Sequence, residues 1–320
     1  MGLDPQSRAV LDGLNGAGIL PFRQSAPKDL RAKVLALRPP RPAVEQGDTI
    51  EVSEEQIEAG NLSFGVRILR PTPCSGPARP AVLYFHGGGF LFGGIDENDE
   101  MVRTIARKTG AVVFNIDYHL APETKFPGAV NEAFAALRWV ADNAARLGID
   151  PTRIVVAGDS AGGNLTAVTC IQARERGGPS IRLQVPIYPS FDLRPSPQYP
   201  SRLTWGRGGY VLDHEDIEWM LDHYLNDRTE GDDWRASPLL APRLAGLPPA
   251  LVITADHDPL CDEGKAYADR LAAEGVKVEY VCFSGTFHGF IGYAALLDVG
   301  ARGLDLVCDR IRAAVSEPAD

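Results

Sequence analysis

The sequence predicts an α/β fold: a mostly parallel, eight-stranded sheet flanked by helices, with a helical cap over one end. Three observations predict it. From residue 81 onward, short apolar, β-branched runs alternate with helical patterns, which implies parallel strands covered on both faces. Ahead of them, two runs near 48–53 and 62–69 read as antiparallel strands at one edge. A single stretch, 192–237, breaks the alternation and is too long for a plain connection.

Taken in order, residues 1–45 form a helical stretch closed by the proline-rich "LRPPRPAV" at 37–44. They are expected to join 192–237 as the cap, leaving 46–191 and 238–320 as the core. After the edge pair, "RPTPCSGPARP" at 70–80 is a loop. Six further strands are expected in "AVLYF" (81–85), "AVVFNI" (111–116), "RIVVAG" (153–158), "LQVPIY" (183–188), "ALVITA" (250–255) and "VKVEYVCF" (276–283). The clearest helix covers 129–147, where Ala133, Leu137, Val140, Ala144 and Leu147 share a stripe and "LGIDP" closes the pattern. The interruption holds a second helical pattern, "DHEDIEWMLDHYL".

Composition narrows the function classes. A 320-residue chain with 44% apolar residues can bury a substantial core. A net charge of −10 and the absence of a Lys/Arg-rich block argue against nucleic-acid partners and anionic membrane surfaces. The start, "MGLDPQSRAVLDGLNGAG", has no basic and apolar leader pattern, so no secretory signal is expected. No apolar segment approaches the ~18 residues that would insert stably in a membrane. Five widely spaced cysteines (74, 170, 261, 282, 308) fit reduced thiols in a cytoplasmic protein better than disulfides or zinc. Cys170 and Cys282 are expected as small core residues.

Gly158-Asp159-Ser160-Ala161-Gly162 matches G-x-S-x-G between an apolar strand and a helical run. A nucleophilic serine must stand proud of a tight strand-to-helix turn, and small neighbours let strand and helix approach. A second signal, "YFHGGGFLFGG" at 84–94, begins where a strand ends. Acyl transfer builds negative charge on a carbonyl oxygen, and glycines let backbone N–H groups come close to it. The glycines form no G-x-G-x-x-G register and carry no G-K-[ST], so a phosphate cradle is excluded.

A serine hydroxyl needs a base, and the base needs an orienting acid, following it in the chain order Ser, acid, His. His214 and His223 fall on the exposed face of the inserted helix. His257 has no preceding strand-end acid except its neighbour Asp256. His288, in "SGTFHGF" after the last strand, is the expected base. Among Asp256, Asp258 and Asp262, Asp258 precedes a proline, whose extended bias lets the carboxylate reach across the sheet edge. Asp262 has an adequate role at a helix start.

These motifs resemble the bacterial hormone-sensitive-lipase family (family IV) of α/β-hydrolase esterases. The resemblance rests on "HGGGF" at 86–90, "DYHLAPE" at 117–123, "GDSAGGN" at 158–164, "DPLCDEG" at 258–264 and "FHGF" at 287–290, in that order. It implies an α/β-hydrolase fold and a triad of Ser160, Asp258 and His288. It also implies oxyanion donors from Gly88, Gly89 and the backbone of Ala161, on a loop shaped by His86 and Gly87. The implied activity is carboxylester hydrolysis on small-molecule esters of short and medium acyl chains, without cofactor or metal, and the resemblance permits a homodimer through the last strand's edge. The sequence departs from the family at His119 and Cys261, where arginine is usual; Cys261 is expected to be an inert small side chain, with thiol sensitivity of the enzyme as the alternative. Asp159 and Glu123 are expected to orient the oxyanion loop without joining the chemistry. Two alternatives remain: the same machinery on amides, formamides, carbamates or acetylated compounds, and a non-catalytic ligand-binding protein, against which the complete triad argues. Phe22, Trp205, Tyr210 and Trp219 are available to line or cover a pocket, and cap packing is the expected role for most of them.

Overall fold

The computed structural model describes residues 2–36, 50–73, 77–195 and 199–316. The expected separator at 37–44, the start of the first edge strand, Cys74 and part of the 70–80 loop lie wholly or partly outside these residues. In chain order the elements are α1 (Pro5–Gly16), α2 (Pro27–Ala36), β1 (Ile50–Ala59), β2 (Leu62–Pro71), β3 (Arg79–Phe85), α3 (Asp99–Thr109), β4 (Val112–Asp117), α4 (Gly128–Asp142), α5 (Ala144–Leu147), β5 (Ile149–Asp159) and α6 (Ala161–Glu175). There follow β6 (Leu183–Ile187), α7 (Pro200–Trp205), α8 (His214–Tyr224), β7 (Ala250–His257), α9 (Cys261–Ala273), β8 (Val278–Phe287) and α10 (Asp298–Ser316).

The eight strands form one sheet in the order β1-β2-β4-β3-β5-β6-β7-β8, antiparallel through β1, β2 and β4 and parallel thereafter. The eight strands, mostly parallel with an antiparallel pair at one edge, are those the sequence predicts. Consecutive residues of β3, β4 and β6 are buried, as they must be when helices cover both faces. The helices α3 and α10 pack together, as do α4 and α6, each pair against the sheet.

Several element boundaries differ from expectation, three of them instructively. Strand β1 runs on to Ala59 through "SEEQIEA", because an outermost strand needs no apolar alternation; a two-residue Gly60-Asn61 turn then reverses the chain into β2. The helical pattern over 129–147 is two helices. Asn143 ends α4, its side-chain amide donating to Trp139 O at 2.9 Å, while its own carbonyl starts α5. Strand β5 starts at Ile149, with an irregular register against β3 before Ile154.

Cys170 is buried in α6 as expected, but Cys282 is exposed, which corrects its assignment to the core. Strand β8 is the last of the sheet, and only its end, from Gly285, is fully covered.

The first helices dock onto the inserted segment. Asp4 caps α1 by accepting from Gln6 N at 2.7 Å, and Asp213 caps α8 by accepting from Asp216 N at 2.7 Å. Between them, Arg23 meets Asp213 at 2.8 Å, Glu215 at 2.6 Å and Asp216 at 3.0 Å. Asp216, buried, also accepts the backbone N–H groups of Phe22 and Arg23 at 3.2 and 2.9 Å.

Candidate active site

Four parallel strands deliver the expected site residues at their carboxyl ends, the edge where sheets of this kind bind ligands. Strand β3 ends at Phe85, directly before His86 and Gly87–Gly89; β5 ends beside Ser160; β7 ends beside Asp258; β8 ends beside His288.

Ser160 occupies a backbone conformation of φ 54°, ψ −115°, sparsely populated for a residue with a side chain. Its N–H donates to Ile187 O at 2.8 Å, fixing the turn against β6. The turn closes because residue 162 is glycine: a Cβ there would sit 1.9 Å from Phe85 O. Strand β3 and helix α6 therefore meet in direct backbone contact.

His288 Nε2 lies 2.8 Å from Ser160 Oγ, and His288 Nδ1 lies 2.8 Å from Asp258 Oδ2. With Nδ1–H donating to the carboxylate, Nε2 is left to accept the serine hydroxyl. Asp258 is fully buried, and its other oxygen accepts Leu260 N at 2.8 Å. The ring of Tyr188 meets the His288 imidazole edge-on, with centroids 5.1 Å apart. All three residues selected from the sequence are thus in one hydrogen-bonded line.

The competing residues are elsewhere. Asp256 pairs with His257 at 2.6 Å and accepts Gly285 N at 2.9 Å, and the buried His257 packs on Trp205. Asp262 accepts Ser201 N at 2.8 Å, a cap-anchoring contact. His214 and His223 are partly exposed on α8, where His223 Nδ1 meets Trp219 O.

Beside Ser160, the chain turns through Gly88 and Gly89 at φ 113° and 59°. A Cβ on Gly88 would fall 1.9 Å from Phe92 O. Among the described residues the Gly88 and Gly89 N–H groups have no acceptor. Ala161 is the first residue of α6, so its N–H has no intrahelical partner either. His86 is buried, stacked on Tyr118 with centroids 4.3 Å apart, and its Nδ1 meets Gly87 O at 2.7 Å. Burial pushes its imidazole down to about 4, so the ring is neutral at physiological pH.

Asp159 holds this loop. Its Oδ1 accepts both Gly87 N at 3.0 Å and the Tyr84 hydroxyl at 2.9 Å, and desolvation raises its carboxyl above the ordinary range. Glu123 does not touch the loop. Exposed at the surface, it pairs with Arg31 of α2 at 2.7 Å, and it is Arg31 that donates to Leu91 O at 2.7 Å. His119, one of the two departures from the family pattern, is absorbed by the buried Glu132, which meets both its N–H and its Nδ1.

Ser160, His288, Gly88 and Gly89 open into a cavity of about 1410 Å³ with predominantly apolar walls. Phe22 lines it, whereas Trp205, Tyr210 and Trp219 do not. Its cap-side walls include Leu212, just ahead of α8, and Ile217 and Met220 on that helix, apolar positions that carry no further signal in the sequence. Met220 is closest to the loop: its Sδ would be 2.2 Å from a Cβ on Gly89. Among the described residues no cluster of three or more His, Cys, Asp or Glu could hold a metal, and no helix is long and apolar enough to cross a membrane.

A family model described as alpha/beta hydrolase fold matches residues 82–292, two-thirds of the chain and all of the site. The chain belongs to the α/β-hydrolase family. Within it, the hormone-sensitive-lipase group named from the motifs is borne out. This α/β hydrolase is 38% identical over 277 residues to carboxylesterase NlhH of Mycobacterium tuberculosis, covering 85% of this chain and 84% of that one. It is 37% identical over 250 residues to the ethyl acetate hydrolase of Pseudomonas putida, covering 77% of each. Its backbone matches that of a hyperthermophilic esterase from the archaeon Pyrobaculum calidifontis with a TM-score of 0.88 at 38% identity, over 98% of this chain and 99% of that one.

Proposed function

We propose that this α/β hydrolase is a serine carboxylic ester hydrolase acting on small-molecule esters of short- to medium-chain acids. The observation that carries this reading is the unbroken hydrogen-bond line Asp258–His288–Ser160 at the mouth of an apolar cavity. Esterase names among its relatives support the same bond type.

In the proposed reaction Ser160 Oγ attacks the ester carbonyl as His288 Nε2 takes its proton. Asp258 holds the imidazole in the required tautomer and stabilises the imidazolium. The N–H groups of Gly88, Gly89 and Ala161 receive the developing oxyanion. His288 then protonates the departing alcohol, leaving an acyl-serine, and next takes a proton from water, which releases the acid. No step calls for a cofactor. Residues 1–45 and 192–237 act as the cap over a core of 46–191 and 238–320, the Arg23 contacts joining the two cap pieces. The open edge of β8 is the surface through which two copies would pair.

A fluorophosphonate probe tests the reading. It should label Ser160 stoichiometrically and abolish hydrolysis of p-nitrophenyl butyrate, with Ser160→Ala neither labelled nor active. A folded Ser160→Ala protein with unchanged turnover would overturn it. An unlabelled wild-type protein would favour the non-catalytic alternative.

A further inference from the structure

Away from the triad, two cysteines meet on the far side of the Asp258 turn. Cys261 opens α9 and Cys282 lies in the exposed part of β8, and their sulfurs are 3.8 Å apart. Neither sulfur is buried in hydrocarbon. Thr254 Oγ1 lies 3.7 Å and the Tyr280 hydroxyl 3.9 Å from Cys261 Sγ, and those two hydroxyls bond each other at 2.8 Å. Residues 254 and 282 are register partners across β7 and β8, so the rigid sheet fixes where the second sulfur stands.

We propose that Cys261 and Cys282 form a reversible, peroxide-responsive dithiol whose closure to a disulfide slows this hydrolase. The pair has the two parts such a site needs: an exposed sulfur to meet the oxidant and a second, half-buried sulfur beside it to resolve the product. The thiols are also unequal. A hydrogen bond from Cys261 brings the Cys282 thiol down to about 6 against the opposing charge of Asp256, while its Cys282 partner and burial raise Cys261. The exposed Cys282 is thus placed to be the attacking sulfur and the half-buried Cys261 the resolving one.

The chemistry balances with one peroxide. The Cys282 thiolate attacks a peroxide oxygen; the S–O bond forms as the O–O bond breaks, the sulfur gives up two electrons, and hydroxide leaves. Cys261 then attacks the sulfenic sulfur, the S–S bond forms, and the S–O oxygen departs with the Cys261 proton as water. Two thiols and hydrogen peroxide become one disulfide and two waters.

The link to the site is the turn itself. Cys261 N–H donates to Asp258 O at 3.1 Å, and Leu260 N–H donates to Asp258 Oδ1 at 2.8 Å. Shortening the sulfur separation from 3.8 Å to a bond of about 2.05 Å draws the start of α9 toward β8, and with it the turn that seats the carboxylate. A displacement approaching 1 Å at a reacting group costs up to about 100-fold, so kcat is expected to fall roughly 10- to 100-fold.

The experiment treats the purified protein with a small molar excess of hydrogen peroxide and reads two quantities. Non-reducing peptide mass spectrometry should find a linked pair containing Cys261 and Cys282, two hydrogens lighter than the free peptides. Hydrolysis of p-nitrophenyl butyrate should fall in kcat and recover with dithiothreitol. Cys282→Ser should keep its activity through the treatment, and Cys261→Ser should leave a dimedone-trappable sulfenic acid on Cys282. Absence of the linked pair overturns the proposal, as does a linked pair with unchanged kcat. The inference takes its activity readout from the hydrolase reading but not its sulfur chemistry. No hydrolysis before treatment would strike the hydrolase reading, whereas active but peroxide-insensitive protein would strike the switch.

Discussion

Asp159 Oδ1 accepts the Gly87 N–H at 3.0 Å, tying the residue before the nucleophile to the glycine loop that faces it. Loop and nucleophile are positioned by one carboxylate, which the Tyr84 hydroxyl steadies from below. Replacing it by alanine frees the loop while leaving Ser160, His288 and Asp258 in place. Asp159→Ala should lower kcat by about 100-fold with little change in KM, the cost of misplaced donors. Asp159→Asn, whose amide oxygen can accept the same bonds, should recover most of that loss. Steady-state kinetics on both variants separates loop positioning from a general loss of folding.

Gly88 offers a sharper perturbation of the same loop. At φ 113° with Phe92 O 1.9 Å from its would-be Cβ, it has no room for a side chain. Gly88→Ala should cost roughly 100- to 1,000-fold in kcat, the loss typical of a missing oxyanion donor. Fluorophosphonate labelling of Ser160 should slow in parallel, since the probe builds the same negative oxygen.

Met220 sets the roof over Gly89, and the cavity it lines is deep and apolar. Met220→Trp should shorten the usable depth. In a series of p-nitrophenyl esters from acetate to laurate, the octanoate-to-butyrate ratio of kcat/KM should drop at least about tenfold, in line with the worth of a methylene in an apolar pocket. An unchanged profile would place the acyl chain in another arm of the cavity.

His86 makes stability depend on acid. Its imidazole is pushed down to about 4 when folded, against about 6.5 when unfolded. Between those values the unfolded chain binds the extra proton, so the stability that His86 contributes is full above about 6.5 and drains away as pH falls toward 4. The integrated loss is on the order of 3 kcal/mol. Urea melts of the wild type and His86→Gln at pH 7.5 and 4.5 should show it as a difference between the two proteins, since the buried Glu263 carboxyl, raised to about 8, titrates in the opposite sense over the same window in both.

The chemistry was the most legible part of the sequence because its residues are constrained locally. Ser160 needs small neighbours at a strand end, and His288 and Asp258 each follow a strand, so spacing and turn composition single them out. What depended on tertiary context was not legible. Cys282 sits in an apolar run that reads as core, yet the strand is the sheet's last. Glu123 lies within a motif that suggests the loop, but its partner Arg31 comes from an N-terminal helix 92 positions away. Which of the cap aromatics reach the cavity was not legible either: Phe22 lines it beside the aliphatic Leu212 and Ile217, whereas Trp205 and Tyr210 pack on His257. Periodicity identifies which face of α8 is apolar, not whether that face meets protein or empty space.

Arg23 grips three carboxylates of a segment some 190 positions further along the chain. Trimming the first two dozen residues, or fusing a bulky partner close ahead of them, is therefore an operation on the ceiling of the reaction chamber. High salt would act at the same place, loosening the half-exposed ionic latch while leaving the sheet beneath untouched. A preparation that looks intact by its core spectrum can still have lost its grip on substrate.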